Sequence, residues 1–274
     1  MRNKNLGVIV FMLGLLFCSA SAWADQVLRQ AEITAANGKV EWLKAGASDW
    51  QPVTLNQKLE GGDKVRTGAE SSAVLTMDEG SQIDLFAGSE FAVQTLTKDS
   101  QTEQLQSILA IMKGKMKAQV TPLKNGSSFE VETPVMVAAV RGTTFTITIN
   151  PDGSVNLVSD DGTVEIIRKG QNKFKVKAGK GKEIRIEVDP KTGDVRITSL
   201  KGDFEITGPD GKPIQLKEGE TIIISGGAAT FIPLTLQVAG PPGADSLGEP
   251  IIDDTGSDDS SSSAEILSEP PSGS

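Results

Sequence analysis

The chain has no histidine, no tyrosine and a single cysteine, Cys18, among its 274 residues. Once the first 24 residues are set aside, neither imidazole nor thiol remains. That excludes Cys and His nucleophiles and the usual zinc ligand sets. It also excludes a disulfide framework in any compartment. Aromatic residues make up only 4%, against 29 glycines and 13 prolines, a balance that suits thin β layers joined by many tight turns. Positive charge is scarce too: the formal net charge is −9. Without Arg2 and Lys4 the count is 25 Lys and Arg against 36 Asp and Glu, or −11. An acidic chain of this kind is a poor nucleic-acid binder, and its charge serves mainly solubility. A hydrophobic fraction of 38% over this length still suffices for one or two domains with a real core.

Residues 1–24 read as a secretory signal peptide. Arg2 and Lys4 open it, Leu6 to Phe17 form its apolar segment, and Ala22-Trp23-Ala24 places small residues for cleavage before Asp25. The apolar run is short for a retained membrane anchor, so no transmembrane segment is expected in the mature chain. A lipoprotein signal at Cys18 is disfavoured by the bulky Phe17.

The period of the remaining chain is two, the signature of half-buried strands. Val40 and Trp42 share a face, as do Ala73, Leu75 and Met77, then Ile83 and Leu85, then Phe91 and Val93. Residues 104–120 read as two strands around Gly114. The stretch FEVETPVMVAAVRGTTFTITI, Phe129 to Ile149, reads as two strands interrupted by Thr133-Pro134 and by Val140-Arg141-Gly142-Thr143. Gly142 there permits a bend or a close backbone approach. Further on the pattern repeats itself. Val155, Leu157, Gly162, Val164, Ile166 and Gly179 recur 40 positions later as Val195, Ile197, Gly202, Phe204, Ile206 and Gly219. A fixed period of this size predicts stacked β units that bury their faces on one another. Gly114 and Met116, followed by Phe129 and Val131, read as a looser earlier copy. The expected fold is all-β, with short antiparallel strands stacked as a solenoid or a twisted sandwich. From Gly240 onward the composition turns to Ser, Asp, Gly and Pro, predicting a disordered acidic tail over 240–274.

Several of these motifs occur in a recognisable order. Gly38-x-Val40-x-Trp42 comes first, then Trp50 with Pro52 after it, then Leu59 to Gly68 with Gly62-Asp63 and Val65-Arg66-Thr67-Gly68. Ser71-x-Ala73-x-Leu75 and Asp78-x-Gly80-Ser81 follow, leading into Thr133-Pro134 and Ala138-Ala139-Val140-Arg141-Gly142-Thr143. The ordered set, over roughly residues 36–168, resembles the FecR domain family, which is named for an iron-citrate sensing regulator. The resemblance divides the chain into a FecR-type domain at 25–168 and a continuing β repeat region at 169–239. It implies an extracytoplasmic binding or scaffold module, periplasmic by analogy, that engages an envelope protein as part of sensing or assembly. In the best-known members a helix links this domain to a cytoplasmic segment that controls a sigma factor. Here a leader stands in that place, so the complete relay is not expected of this chain.

The signature residues Trp42, Trp50, Gly62, Asp63, Arg66, Gly68, Gly80, Ser81, Thr133, Pro134, Arg141, Gly142 and Thr143 have mainly structural roles in this reading. Asp63 is expected to cap turn amides and Arg66 to pair across strands. Arg141 is expected as a buried guanidinium satisfying carbonyls, with presentation of its fork to an anionic partner as the alternative. Asp78, Glu79 and Asp84 form a local carboxylate group, but the first two sit in a hairpin turn context, and no enzyme activity or cofactor is expected. Lys173, Lys175 and Lys177 alternate with Phe174 and Val176, and Lys113, Lys115 and Lys117 make a similar ladder. Such ladders guard an edge strand against aggregation. The sharper reading of Lys173, Lys175 and Lys177 is a seat for an anionic envelope glycan or lipid head groups.

Overall fold

The computed structural model of the protein describes residues 26–124, 126–168 and 172–232. The expected signal peptide and acidic tail lie outside the described residues. These are all strand, turn and bend, so among them there is no helix long and apolar enough to cross a membrane. The strands are β1 (Gln26–Leu28), β2 (Ala31–Asn37), β3 (Val40–Leu43), β4 (Gln51–Pro52), β5 (Gln57–Leu59), β6 (Lys64–Thr67), β7 (Ser72–Met77), β8 (Gln82–Leu85), β9 (Glu90–Asp99), β10 (Leu105–Gln119) and β11 (Ser128–Glu132). They continue as β12 (Val137–Val140), β13 (Thr144–Ile149), β14 (Val155–Asp161), β15 (Val164–Arg168), β16 (Phe174–Ala178), β17 (Glu183–Val188), β18 (Val195–Lys201), β19 (Phe204–Thr207), β20 (Pro213–Leu216), β21 (Thr221–Ser225) and β22 (Ala228–Ile232).

The strands form one hydrogen-bonded sheet curled on itself, with β10 as the fold line. One half runs β4, β3, β6, β9, β10, β11, β12, β15, β16, β19, β20, with β1 beside the far end of β9. The other runs β5, β2, β7, β8, β10, β13, β14, β17, β18, β21, β22. Leu105–Lys113 belongs to the first half and Gly114–Gln119 to the second. The expectation of two strands around Gly114 is therefore corrected to one 15-residue strand with a sharp bend. Gly114 makes the bend possible: its φ is +84°, and a Cβ there would lie 2.5 Å from Ser89 Cα.

Each half buries one face. Alternate side chains such as Val65, Phe91, Leu109, Phe129, Val164 and Phe204 from one half meet Ile33, Leu75, Ile83, Phe145, Leu157 and Ile197 from the other. All belong to one apolar cluster that continues from Ala31 to Ile224. Each fully buried branched or aromatic side chain contributes about 1.5–3 kcal/mol, which makes this continuous layer the main stabilising feature.

Beyond β10 the chain alternates between the halves, hairpin by hairpin. The pairs β13–β14, β17–β18 and β21–β22 lie in one, and β11–β12, β15–β16 and β19–β20 in the other. The 40-residue period is this alternation. Val155 and Leu157 on β14 become Val195 and Ile197 on β18, all fully buried. The crossover hydrogen bonds recur, but with a turn two residues longer in the first copy, so the counterpart of Gly219 is Gly181 and not the Gly179 expected from the 40-residue period. Ser159 Oγ donates to the Gly162 carbonyl, as Ser199 Oγ donates to the Gly202 carbonyl. Gly181 N donates to the Ser159 carbonyl at 2.6 Å, and Gly219 N to that of Ser199 at 2.9 Å. A β-bulge accompanies each crossover, next to Ser159 and Ser199, where the strand leaves one half for the other. The looser earlier copy is also present: β11, with Phe129 and Val131 buried, pairs with β12 as β15 pairs with β16.

The stretch from Phe129 to Ile149 contains three strands, not two. The additional one is β12, which pairs with both β11 and β15. Ala138 and Ala139 are too small to mark its alternation in the sequence, although Ala138 and Val140 are buried.

Candidate functional site

The signature residues fall into three groups. The first surrounds Asp63, which is only 3% exposed. Its Oδ1 accepts from Ala45 N at 2.8 Å and its Oδ2 from Glu60 N at 3.0 Å, so the carboxylate ties two loops together. Beside it Arg66 Nε donates to Glu41 Oε2 at 2.8 Å, and the guanidinium lies 4.3 Å from the Trp50 ring centroid. The Arg66 hydrogen bond, more than any other influence, holds the Glu41 carboxyl below its ordinary value. Trp42 packs half-buried against the core, while Gly62 and Gly68 lie in the loops either side of β6.

The second group is centred on a residue that no motif flagged. Arg29 is 4% exposed, and its Nε donates to both oxygens of Asp78, at 3.0 and 3.1 Å. Its Nη1 donates to Ser107 Oγ at 3.0 Å, and its Nη2 also meets Glu79. The turn Asp78-Glu79-Gly80-Ser81 joins β7 to β8, and Ser81 Oγ accepts from Thr121 N at 3.1 Å. Partial burial works to raise the Asp78 carboxyl, but Arg29 outweighs it and holds that group below the usual carboxylate value. For Glu79 burial prevails over Arg29 and the carboxyl lies above its usual value. Glu79 Oε1 is buried without a hydrogen-bond partner among the described residues, which accounts for that direction. Asp84 is apart from this cluster, on β8 opposite Lys117. The arrangement is a partly buried ionic clamp between the β1–β2 link, the hairpin turn and β10. The only sequence signal for Arg29 was a lone cation beside a strand.

The third group lines a groove of about 660 Å³ on the outer surface of β11, β12, β15 and β16. One transverse row crosses it: Glu130 opposite Ala139, Ala139 opposite Glu165, and Glu165 opposite Lys177. The small Ala139 between two glutamates leaves the hollow. Arg141, Gly142 and Thr143 form one wall. The sequence reading placed Arg141 as a buried guanidinium, and the structure corrects this: Arg141 is exposed. Its neighbours take the structural work instead. Thr143 is buried and its Oγ1 donates to the Thr163 carbonyl at 3.1 Å. Gly142 has φ +73°, and a Cβ there would meet Pro122 Cα at 2.9 Å, so the wall is pinned by a close backbone approach. Thr133 Oγ1 accepts from Met136 N at 3.0 Å and closes the Thr133-Pro134 turn between β11 and β12.

The lysine ladders differ from the edge-guarding role expected of them. β16 is paired on both sides, by β15 and β19, and β10 by neighbours along both of its halves. Neither strand is an edge. The Gly114 bend separates Lys113 from Lys115 and Lys117. Lys115 approaches the Phe86 ring and Lys117 pairs with Asp160 at 3.6 Å. Lys173, Lys175 and Lys177 are exposed, but they do not act as one set. Lys175 is paired with Glu165, Lys177 lines the groove beside Arg141, and Lys173 and Lys175 line a separate depression. Lys169, part of the same basic stretch, lies outside the described residues. No group of three His, Cys, Asp or Glu is placed to hold a metal ion among the described residues.

Residues 63–165 match the family model described as FecR protein, and the chain carries a FecR domain there. The match starts at Asp63 and ends at Glu165, so it includes the ionic turn and every wall of the groove except Lys177. No curated protein matches the chain. Among solved structures, two crystal structures of a candidate anti-sigma factor from Parabacteroides distasonis are similar, at 14% and 15% identity and TM-scores of 0.32 and 0.33. Each likeness covers 57% of this chain and 60% of the other. Likeness at that level carries no argument about function.

Proposed function

We propose that this protein is an exported, non-enzymatic FecR-type binding module of the cell envelope, with the periplasm as its compartment. It engages a protein partner as part of sensing or assembly. The observation that carries the reading is the exposed Arg141 on the wall of the groove. A signature arginine inside the matched domain is exposed and can present its planar fork, which suits a carboxylate on a partner. The groove also mixes charge, with Glu130 and Glu165 facing Arg141 and Lys177. That lining is complementary to a polypeptide carrying both signs, and it repels a uniformly anionic polymer. Its size falls within the range of small recognition pockets, about 300–1,000 Å³.

The test is affinity capture from envelope extract on residues 25–274, at low and moderate salt, with the wild type and Arg141→Ala in parallel. The expected result is a discrete protein retained by the wild type at moderate salt and lost by the variant. Equal retention of the same protein by both would remove the groove from the mechanism.

A further inference from the structure

We propose that the depression at the turn end of β15, β16 and β19 is a binding site for a phosphate group, held by Arg168 and Lys173. The depression has a volume of about 500 Å³, and its lining includes Arg168, Lys173, Lys175, Thr207, Gly208 and Asp210. It lies on the same half of the sheet as the Arg141 groove but shares no lining residue with it.

The argument starts from unbalanced charge. Arg168 Nη1 donates to the Val135 carbonyl at 2.9 Å, which joins the β15 end to the β11–β12 turn. Its Nε is buried and has no hydrogen-bond partner among the described residues. No carboxylate among them lies within ion-pair distance of Arg168 or Lys173. The other charges nearby are already matched. Lys175 is paired with Glu165, while Asp210 accepts from Lys212 N at 3.1 Å and faces Lys212 Nζ at 3.9 Å. Two cations are therefore left over, one of them partly withdrawn from water. Burial, with nothing opposing it, lowers the Arg168 guanidinium from its ordinary value. A partly desolvated cation without a counter-ion is costly, and an incoming anion relieves the cost.

The ligand class follows from the count. A phosphate monoester carries about −1.5 to −2 charges at neutral pH and three strong acceptor oxygens. Two unmatched cations balance that charge. The Arg168 guanidinium, which lines the hollow, and the Lys173 ammonium supply donors, and the Thr207 hydroxyl lines the same hollow. A single carboxylate would leave one cation unmatched. The phosphate could be carried by a lipid whose head group ends in a phosphate monoester or by a free phosphorylated solute, and the chemistry of the site is the same for both.

The experiment uses the chain of residues 25–274. Arginine Nε–H signals are followed by nuclear magnetic resonance during titration with inorganic phosphate, with sodium chloride of matched ionic strength as control. In parallel, the chain is sedimented with vesicles of phosphatidic acid, whose head group is a phosphate monoester, in phosphatidylcholine, or of phosphatidylcholine alone. The variant is Lys173→Gln, an exposed position whose replacement leaves the Arg168–Val135 bond in place. Phosphate is expected to shift the Arg168 Nε–H, with about tenfold weaker binding in the variant. If the phosphatidic acid vesicles also retain the wild type more than the variant, the head group is the source. If they do not, a free phosphorylated solute is. An equal shift with chloride, or equal phosphate affinity in both proteins, would reduce the site to non-specific screening and overturn the proposal. So would the absence of both a phosphate shift and any Lys173-dependent vesicle retention.

Discussion

Gly114→Ala tests the fold line directly, and Gly153→Ala is its internal control. The two glycines have nearly the same backbone, φ +84° and +82°. An alanine in that left-handed region costs about 1–2 kcal/mol at either position. The surroundings differ completely. At Gly153 nothing lies within 4 Å of the added Cβ. At Gly114 the Cβ would sit 2.5 Å from Ser89 Cα and 2.8 Å from the Gly88 carbonyl oxygen, both of them backbone atoms. That backbone is anchored, because Ser89 Oγ exchanges hydrogen bonds with Lys115 N at 3.0 Å and Lys115 O at 2.9 Å. Displacing it costs a further ~1–3 kcal/mol, the range for overpacked cores. Gly114→Ala should therefore lose roughly 2–5 kcal/mol and Gly153→Ala roughly 1–2 kcal/mol. Urea denaturation followed by far-ultraviolet circular dichroism measures both. Losses within about 0.5 kcal/mol of each other, inside the range of ordinary surface substitutions, would refute the claim that the bend depends on close backbone contact.

Arg29→Met should destabilise the chain by about 1–3 kcal/mol, because it leaves Glu79 and the half-exposed Asp78 without their cation while water screens part of the loss; a loss below about 0.5 kcal/mol in urea would count against the clamp. The two carboxylates of that clamp respond to pH with opposite signs. The stability Asp78 provides is present above the unfolded carboxylate value, about pH 4, and is lost as pH falls through its lowered folded value, so the gap between wild type and Asp78→Asn should close on acidification. Glu79, raised in the folded chain, contributes stability that is present below its unfolded value and lost as pH rises through the folded one. Wild type should lose ground to Glu79→Gln over that interval, and parallel urea midpoints at all pH values would contradict both assignments. Ser159→Ala and Ser199→Ala each remove a buried hydroxyl from an equivalent carbonyl, so each should cost about 1–2 kcal/mol and the double variant should be additive; strongly unequal losses would show that the two crossovers are not energetic equivalents. Asp63→Ala orphans the amides of Ala45 and Glu60 and should cost about 2–4 kcal/mol by the same assay.

The sequence carried the strands and their faces because strand burial has a period of two, and Val155, Leu157, Val164 and Ile166 write that period in large apolar residues. It carried the 40-residue unit for the same reason, since each repeat buries the same positions. Where side chains are small, the signal failed. Ala138 and Ala139 hid β12, and a glycine that ends strands elsewhere in this chain instead bends β10 without breaking it.

Composition and local pattern determined an all-β chain, without thiol or imidazole chemistry beyond its first 24 residues, built from repeated hairpins and bearing the motifs of a FecR domain. Those properties depend on residue type and on short-range alternation, which a linear chain displays in full. Tertiary structure alone decided that Arg29 is buried against Asp78 and Glu79, 49 and 50 positions away, while Arg141 is exposed beside a groove. It alone decided that the lysines of β16 serve separate depressions on an interior strand. Burial of a charge depends on which distant strands pair and in what register, and hairpins that alternate between two halves of a sheet bring together residues that no local period can connect.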